Sequence, residues 1–180
     1  MRALKRTSST ALVLTALAGS TALATASPAA AADYRCTTST KSIDDPAYTG
    51  PWADNWDVKV RLCAKRSGST ISAYATISWD GPLYGRVDDS SIFDGAYFKL
   101  QVKKSQSGTD PVKRSKNYHG IEAKLENSDS NANYNNSYTT PVLSYKIGSS
   151  KGLADGELYL DWNNDGKGYW KHQFSASPRV

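Results

Sequence analysis

Residues 57 to 79 read DVKVRLCAKRSGSTISAYATISW, and the period of this stretch decides the fold. Val58, Val60, Leu62 and Ala64 share one parity, while Lys59, Arg61 and Cys63 share the other. After the turn RSGS, Ile71, Ala73, Ala75, Ile77 and Trp79 alternate with Ser72, Tyr74, Thr76 and Ser78. A two-residue period sends successive side chains to opposite faces of an extended chain, so each run buries one face and wets the other. Two such runs about a Gly-containing turn predict an antiparallel hairpin.

The same period recurs downstream. AYFKLQVKK (96 to 104), IEAKLE (121 to 126), VLSYKI (142 to 147), GELYLDW (156 to 162) and GYWKHQF (168 to 174) all alternate, with Gly, Pro and Asn punctuation between them. Helix competes only for the short IEAKLE stretch, where alternation and strand neighbours favour a strand. NSDSNANYNNS, 127 to 137, reads as a polar connection. About seven strands with frequent turns predict an all-β domain, an antiparallel β-sandwich rather than a barrel.

Before the hairpin the chain changes character twice. Arg2, Lys5 and Arg6 precede the apolar run ALVLTALAGSTALATA and then SPAAAAD, the arrangement of a secretory signal peptide over 1 to 32. Its apolar core falls short of the roughly 20 residues that span a bilayer, so no membrane association is expected. Residues 33 to 57, DYRCTTSTKSIDDPAYTGPWADNWD, are turn-rich and lack a sustained period, which predicts an extended N-terminal arm ahead of a sandwich domain at 58 to 180.

Export alters the charge and cysteine arguments. The whole chain carries 22 Lys and Arg against 17 Asp and Glu; without the leader 19 basic residues face the same 17 acids, a net charge of +2. Apart from VKRSK at 112 to 116 the cations are interleaved with acids, and nucleic acid is not an expected partner. Cys36 and Cys63 both follow the leader, and an oxidising compartment makes one disulfide the natural expectation. Closing that loop would contribute about 3 to 4 kcal/mol. Cys63 lies on the polar parity of its strand, so the bridge should fasten the arm to the outside or edge of the sheet.

Several stretches invite a functional reading. DWNNDGKGYWKH, 161 to 172, sets Asp161, Asn163 and Asp165 at alternate positions before Gly166, as a calcium loop would. An EF-hand needs flanking helices and a bidentate Glu at its twelfth position, whereas strands and His172 occupy those places, so a hairpin turn is favoured over a cation site. His119 and His172 are the only histidines; a general acid and base pair for a hydrolase or nuclease would need both at one cleft. No nucleophile elbow, zinc-protease motif or phosphate loop occurs, so no catalytic residues are assigned. The chain holds five Trp and eleven Tyr against three Phe, a bias toward rings with a polar handle, which suit interfaces as well as cores. Tyr48, Trp52, Trp56 and Tyr84 occupy irregular segments and are the candidate partner-binding residues.

The leader with its SPAAAAD junction resembles those of proteins secreted by Streptomyces and related actinomycetes. YRC, VRLCAKRSG and ISWDGP resemble the small one-disulfide β proteins these bacteria export, among them the adaptor subunits of umbrella toxin particles. That resemblance implies a non-catalytic protein-binding module, an adaptor linking a toxin to a lectin with help from its N-terminal extension. The residues themselves leave open a carbohydrate-binding module using exposed Trp and Tyr, or a small secreted hydrolase.

Overall fold

In the computed structural model residues 33 to 180 are described, apart from 47, 52 to 53, 83 to 90, 129 to 134 and 164. The leader, Trp52 and Tyr84 therefore lie outside the described residues. The chain forms strands β1 (Arg35–Ile43), β2 (Trp56–Ser67), β3 (Thr70–Asp80), β4 (Phe93–Lys104), β5 (Val112–Tyr118), β6 (Asn135–Thr139), β7 (Leu143–Lys146), β8 (Gly152–Trp162) and β9 (Trp170–Gln173). One sheet runs β1-β2-β3-β6, with β7 also on β3; the other runs β5-β4-β8-β9. All pairings are antiparallel. The two sheets pack face to face as an all-β sandwich, β2 and β3 lying across β8 and β4.

The hairpin at 57 to 79 forms with Val58 opposite Trp79 and Leu62 opposite Ala75. Its apolar parity faces Phe98, Leu100 and Val102 of β4 and Leu158, Leu160 and Trp162 of β8, and none of these side chains exceeds 2% exposure. Burial of each large side chain contributes about 1.5 to 3 kcal/mol. Sheets pack only about 10 Å apart, and Gly156 of β8 lies at a close approach across that gap. A Cβ there would stand 2.5 Å from Phe98 Cζ and 3.1 Å from Leu62 Cδ2, so only a residue without a side chain lets those two groups meet.

Two expectations are corrected. Residues 119 to 126 are a 3-10 turn (His119–Ile121) leading into a single turn of helix, α1 (Glu122–Leu125). Ile121 and Leu125, four apart, are buried, whereas Ala123, which alternation would place with them, is exposed; the i and i+4 pair decided the conformation. Glu122 Oε2 accepts a hydrogen bond from the Ala96 backbone N–H at 3.0 Å, beside the bulge where β4 shifts register near Gly95. The second correction concerns 127 to 137, whose last residues begin β6. Strand β5 was not expected, because VKRSKNY is exposed at all but its last position.

The segment read as an arm carries β1, an edge strand in continuous register with β2 from Arg35 opposite Ala64 to Ile43 opposite Trp56. Cys36 and Cys63 are direct cross-strand partners joined by a disulfide, which links neighbouring strands and does not cross the core, as the parity of Cys63 implied. The far side of β3 is shared by β6 and β7, separated at Thr140, Pro141 and Val142. Thr140 mends the gap: its N–H donates to Ala75 O at 2.9 Å, and its Oγ1 accepts the Ala75 N–H at 3.0 Å.

Gly156→Ala forces Phe98 or Leu62 out of its rotamer, and we expect a loss of about 1 to 3 kcal/mol in urea unfolding. An unchanged midpoint would show that the inter-sheet gap is looser than these distances imply.

Candidate functional site

Strand β9 has only four residues, and its inner face is left partly uncovered. Trp170 lies opposite Leu160 and His172 opposite Leu158, so both point to the core side of their sheet. At this edge they meet the end of β1 across an open mouth. Ser42, Ile43, Asp44 and Pro46 form one wall of a cleft of about 380 Å³; Trp162, Trp170 and His172 form the other. That volume suits a small ligand, for which clefts of roughly 300 to 1,000 Å³ are usual.

The chemistry of the cleft is mixed. Trp162 is buried at its base within a row of rings, with Phe93 4.8 Å away and Trp56 6.0 Å from Phe93. Trp170 at the rim is 43% exposed, an unusual condition for an inward-facing ring. Its indole N–H donates to Asp165 Oδ2 at 3.1 Å, and Lys167 Nζ lies 5.2 Å from the ring centre. His172 Nε2 is buried and has no hydrogen-bond partner. Burial holds the imidazole below its ordinary pKa, and the Lys41 cation lowers it further. Neutral at pH 7, the imidazole keeps this nitrogen enclosed by the protein and out of contact with solvent. Asp44 adds a carboxylate, which accepts a hydrogen bond from Asn55 Nδ2.

A second aromatic cluster stands on the outer face of the same sheet. Tyr97 and Tyr159 are cross-strand neighbours stacked at 4.6 Å; His119 lies 5.2 Å and Tyr169 5.0 Å from the Tyr97 ring. Only the Tyr97 and Tyr159 rings meet face to face; Tyr169 meets Tyr97 edge-on and His119 is tilted against it. The Tyr159 hydroxyl donates to Glu157 at 2.9 Å, and burial together with that carboxylate pushes its pKa up to about 12. Burial acts to raise the Glu157 carboxyl, but the bond from Tyr159 and the Lys99 and Lys171 cations outweigh it and hold the group below its ordinary value.

The two histidines thus lie on opposite faces of one sheet, and nothing in this geometry lets them act as an acid and base pair. Trp56, expected as a partner-binding residue, is 3% exposed within the core. Tyr48 is half-buried against its own loop, its ring lying over Gly50. In the calcium-like stretch, Asp165 accepts the Lys167 N–H at 2.7 Å as well as the Trp170 indole, and Asn163 Nδ2 donates to Ser91 O at 2.6 Å. Gly166 takes a φ of 63°, as a tight turn requires. Burial raises the Asp161 carboxyl, and Asp94 and Asp165 add to the effect. Among the described residues no cluster of three or more His, Cys, Asp or Glu side chains is placed to hold a metal ion.

Sequence reasoning singled out His172 for another chemistry and passed over Trp170, Ser42, Asp44 and Pro46. The available signal was the parity of Trp170, His172 and Phe174 in GYWKHQF. Comparison with protein-family models, curated proteins and solved structures finds no match for this chain.

Because burial lowers the His172 pKa, the folded state binds fewer protons than the unfolded state, so stability present above the unfolded value of 6.5 falls as acid is added. We expect His172→Gln to flatten the decline in unfolding midpoint between about pH 6.5 and about pH 5. Parallel curves for the two proteins would count against a desolvated imidazole.

Proposed function

We propose that the chain is a non-catalytic, exported binding module that takes a carbohydrate ring into the cleft between β1 and β9. One observation carries this reading: the Trp170 ring, 43% exposed, stands on one wall of the cleft and the Asp44 carboxylate on the other. A sugar ring presents an apolar C–H face and a rim of hydroxyls. The face packs on an aromatic ring, while the hydroxyls need acceptors and donors that water would otherwise satisfy. A carboxylate accepts O–H bonds from such hydroxyls. Export is supported by the leader sequence and the disulfide; among the described residues no helix is long and apolar enough to cross a membrane.

An adaptor that joins two protein partners is a second reading, favoured by the position of β1 at a sheet edge, where an added strand could pair. Cross-links from a co-purifying protein to residues 35 to 43 would support it.

The cleft is tested by retention on insoluble polysaccharides and by a glycan panel. Trp170→Ala should weaken retention about 30-fold, as expected when an aromatic anchor worth about 2 kcal/mol is lost, with the unfolding midpoint little changed. Absence of retention on every glycan, or equal retention by the variant, would overturn the assignment.

A further inference from the structure

The strand registers sort the charged residues along the long axis of the sandwich. Arg35 opposite Ala64, Thr70 opposite Lys146 and Lys104 opposite Gly152 define one end. The C-terminal residue also lies there, since Val180 and Gly152 exchange two backbone hydrogen bonds of 2.9 and 3.0 Å. Ser42 opposite Asp57, Asp57 opposite Asp80 and Gly95 opposite Asp161 define the other end.

The first end is basic. Among the described residues Arg35, Lys65, Arg66, Lys104, Lys146 and Lys151 cluster there, with Asp33 and Asp110 as opposing charges. It is also well anchored: Arg66 donates to Gly68 O at 3.1 Å, to Gly148 O at 2.9 Å and to Ser150 O, tying two turns together. A hollow of about 330 Å³ opens between Asp33, Arg35, Arg66 and Val180. The second end is acidic. Among the described residues Asp44, Asp57, Asp80, Asp94, Asp161 and Glu122 gather there, with Lys41, Lys59, Lys124 and Lys167 as nearby cations. Asp57 and Asp80 stand directly opposite one another across two strands. Burial raises the Asp161 pKa, and the nearby Asp94 and Asp165 carboxylates raise it further.

We propose that this chain associates with a second copy of itself head to tail, the basic end of one molecule docking on the acidic end of the next. Charge complementarity selects that occupant, because the surface that fits each end is present on the other end of the same molecule. The contact joins two different surfaces, so it does not close on itself and extends to dimers, trimers and longer rows with concentration. Exposed ion pairs contribute little singly, so the association draws on the summed field of each end and weakens as salt screens it. Asp44 belongs both to the acidic end and to the cleft, so a cleft ligand and a neighbouring copy compete. The association itself does not depend on the cleft reading.

Sedimentation velocity on the purified protein without any glycan tests the proposal. Species larger than monomer should grow with concentration at about 0.03 M salt and disappear at about 0.5 M. Two variants change only exposed side chains: Lys146→Gln with Lys151→Gln at one end, and Asp57→Asn with Asp94→Asn at the other. Each alone should lose the larger species. Their equimolar mixture should regain a dimer and nothing longer, because one intact basic end then meets one intact acidic end. Monomer at every salt and concentration, assembly indifferent to salt, or a mixture that fails to regain the dimer would each overturn the proposal.

Discussion

The fold depends on the close approach of β2 and β8 across the sandwich, where Leu62 and Phe98 meet over the bare backbone of Gly156. Face-to-face sheets leave little room, and interiors pack at crystal-like density, so a single methyl group matters at that point. The remaining inner faces follow from it. Once β2 and β8 are held at this distance, the alternating Ile, Val, Leu and Ala of their neighbours fill the layer. The two strands bordering the mouth, β1 and β9, run beyond the part of the sheets where facing strands cover one another, and the cleft exists for that reason.

A layered account of the charged and aromatic side chains follows from the same geometry. Inward-facing positions at the centre hold aliphatic groups with no polar needs. Inward-facing positions at the border hold Trp170 and His172, whose polar atoms require either solvent or a partner. The buried indole of Trp79 has its need met within the chain: its Nε1 donates to Ser128 Oγ at 2.8 Å, and that hydroxyl in turn donates to Leu125 O at 2.7 Å. His172 Nε2 has no such arrangement. This contrast, rather than exposure of aromatics in general, separates the cleft from the tyrosine cluster on the outer face.

Strands with one wet and one dry face were legible from their residues alone. Strands β2, β3, β4 and β8 wrote their burial into a two-residue period, and the parity of Cys63 placed the disulfide on the correct side. Strand β1 was not legible as a strand because an edge strand, stapled on its outer side and solvated for most of its length, has no apolar parity to show. Strand β5 hid for the same reason. At 121 to 126 two periods competed, and the buried Ile121 and Leu125 fit the helical one. The cleft was illegible because residues 42 to 46 and 162 to 172 meet only after both sheets have formed and packed.

The interruption between β6 and β7 has an effect on the molecule's behaviour in crowded solution. A lone strand arriving at that border would find two short offset ladders instead of one long straight one, with a proline between them that offers no N–H. Growth of a shared sheet across molecules is disfavoured on this flank, where the Arg114 guanidinium also takes up the Ser144 carbonyl of β7.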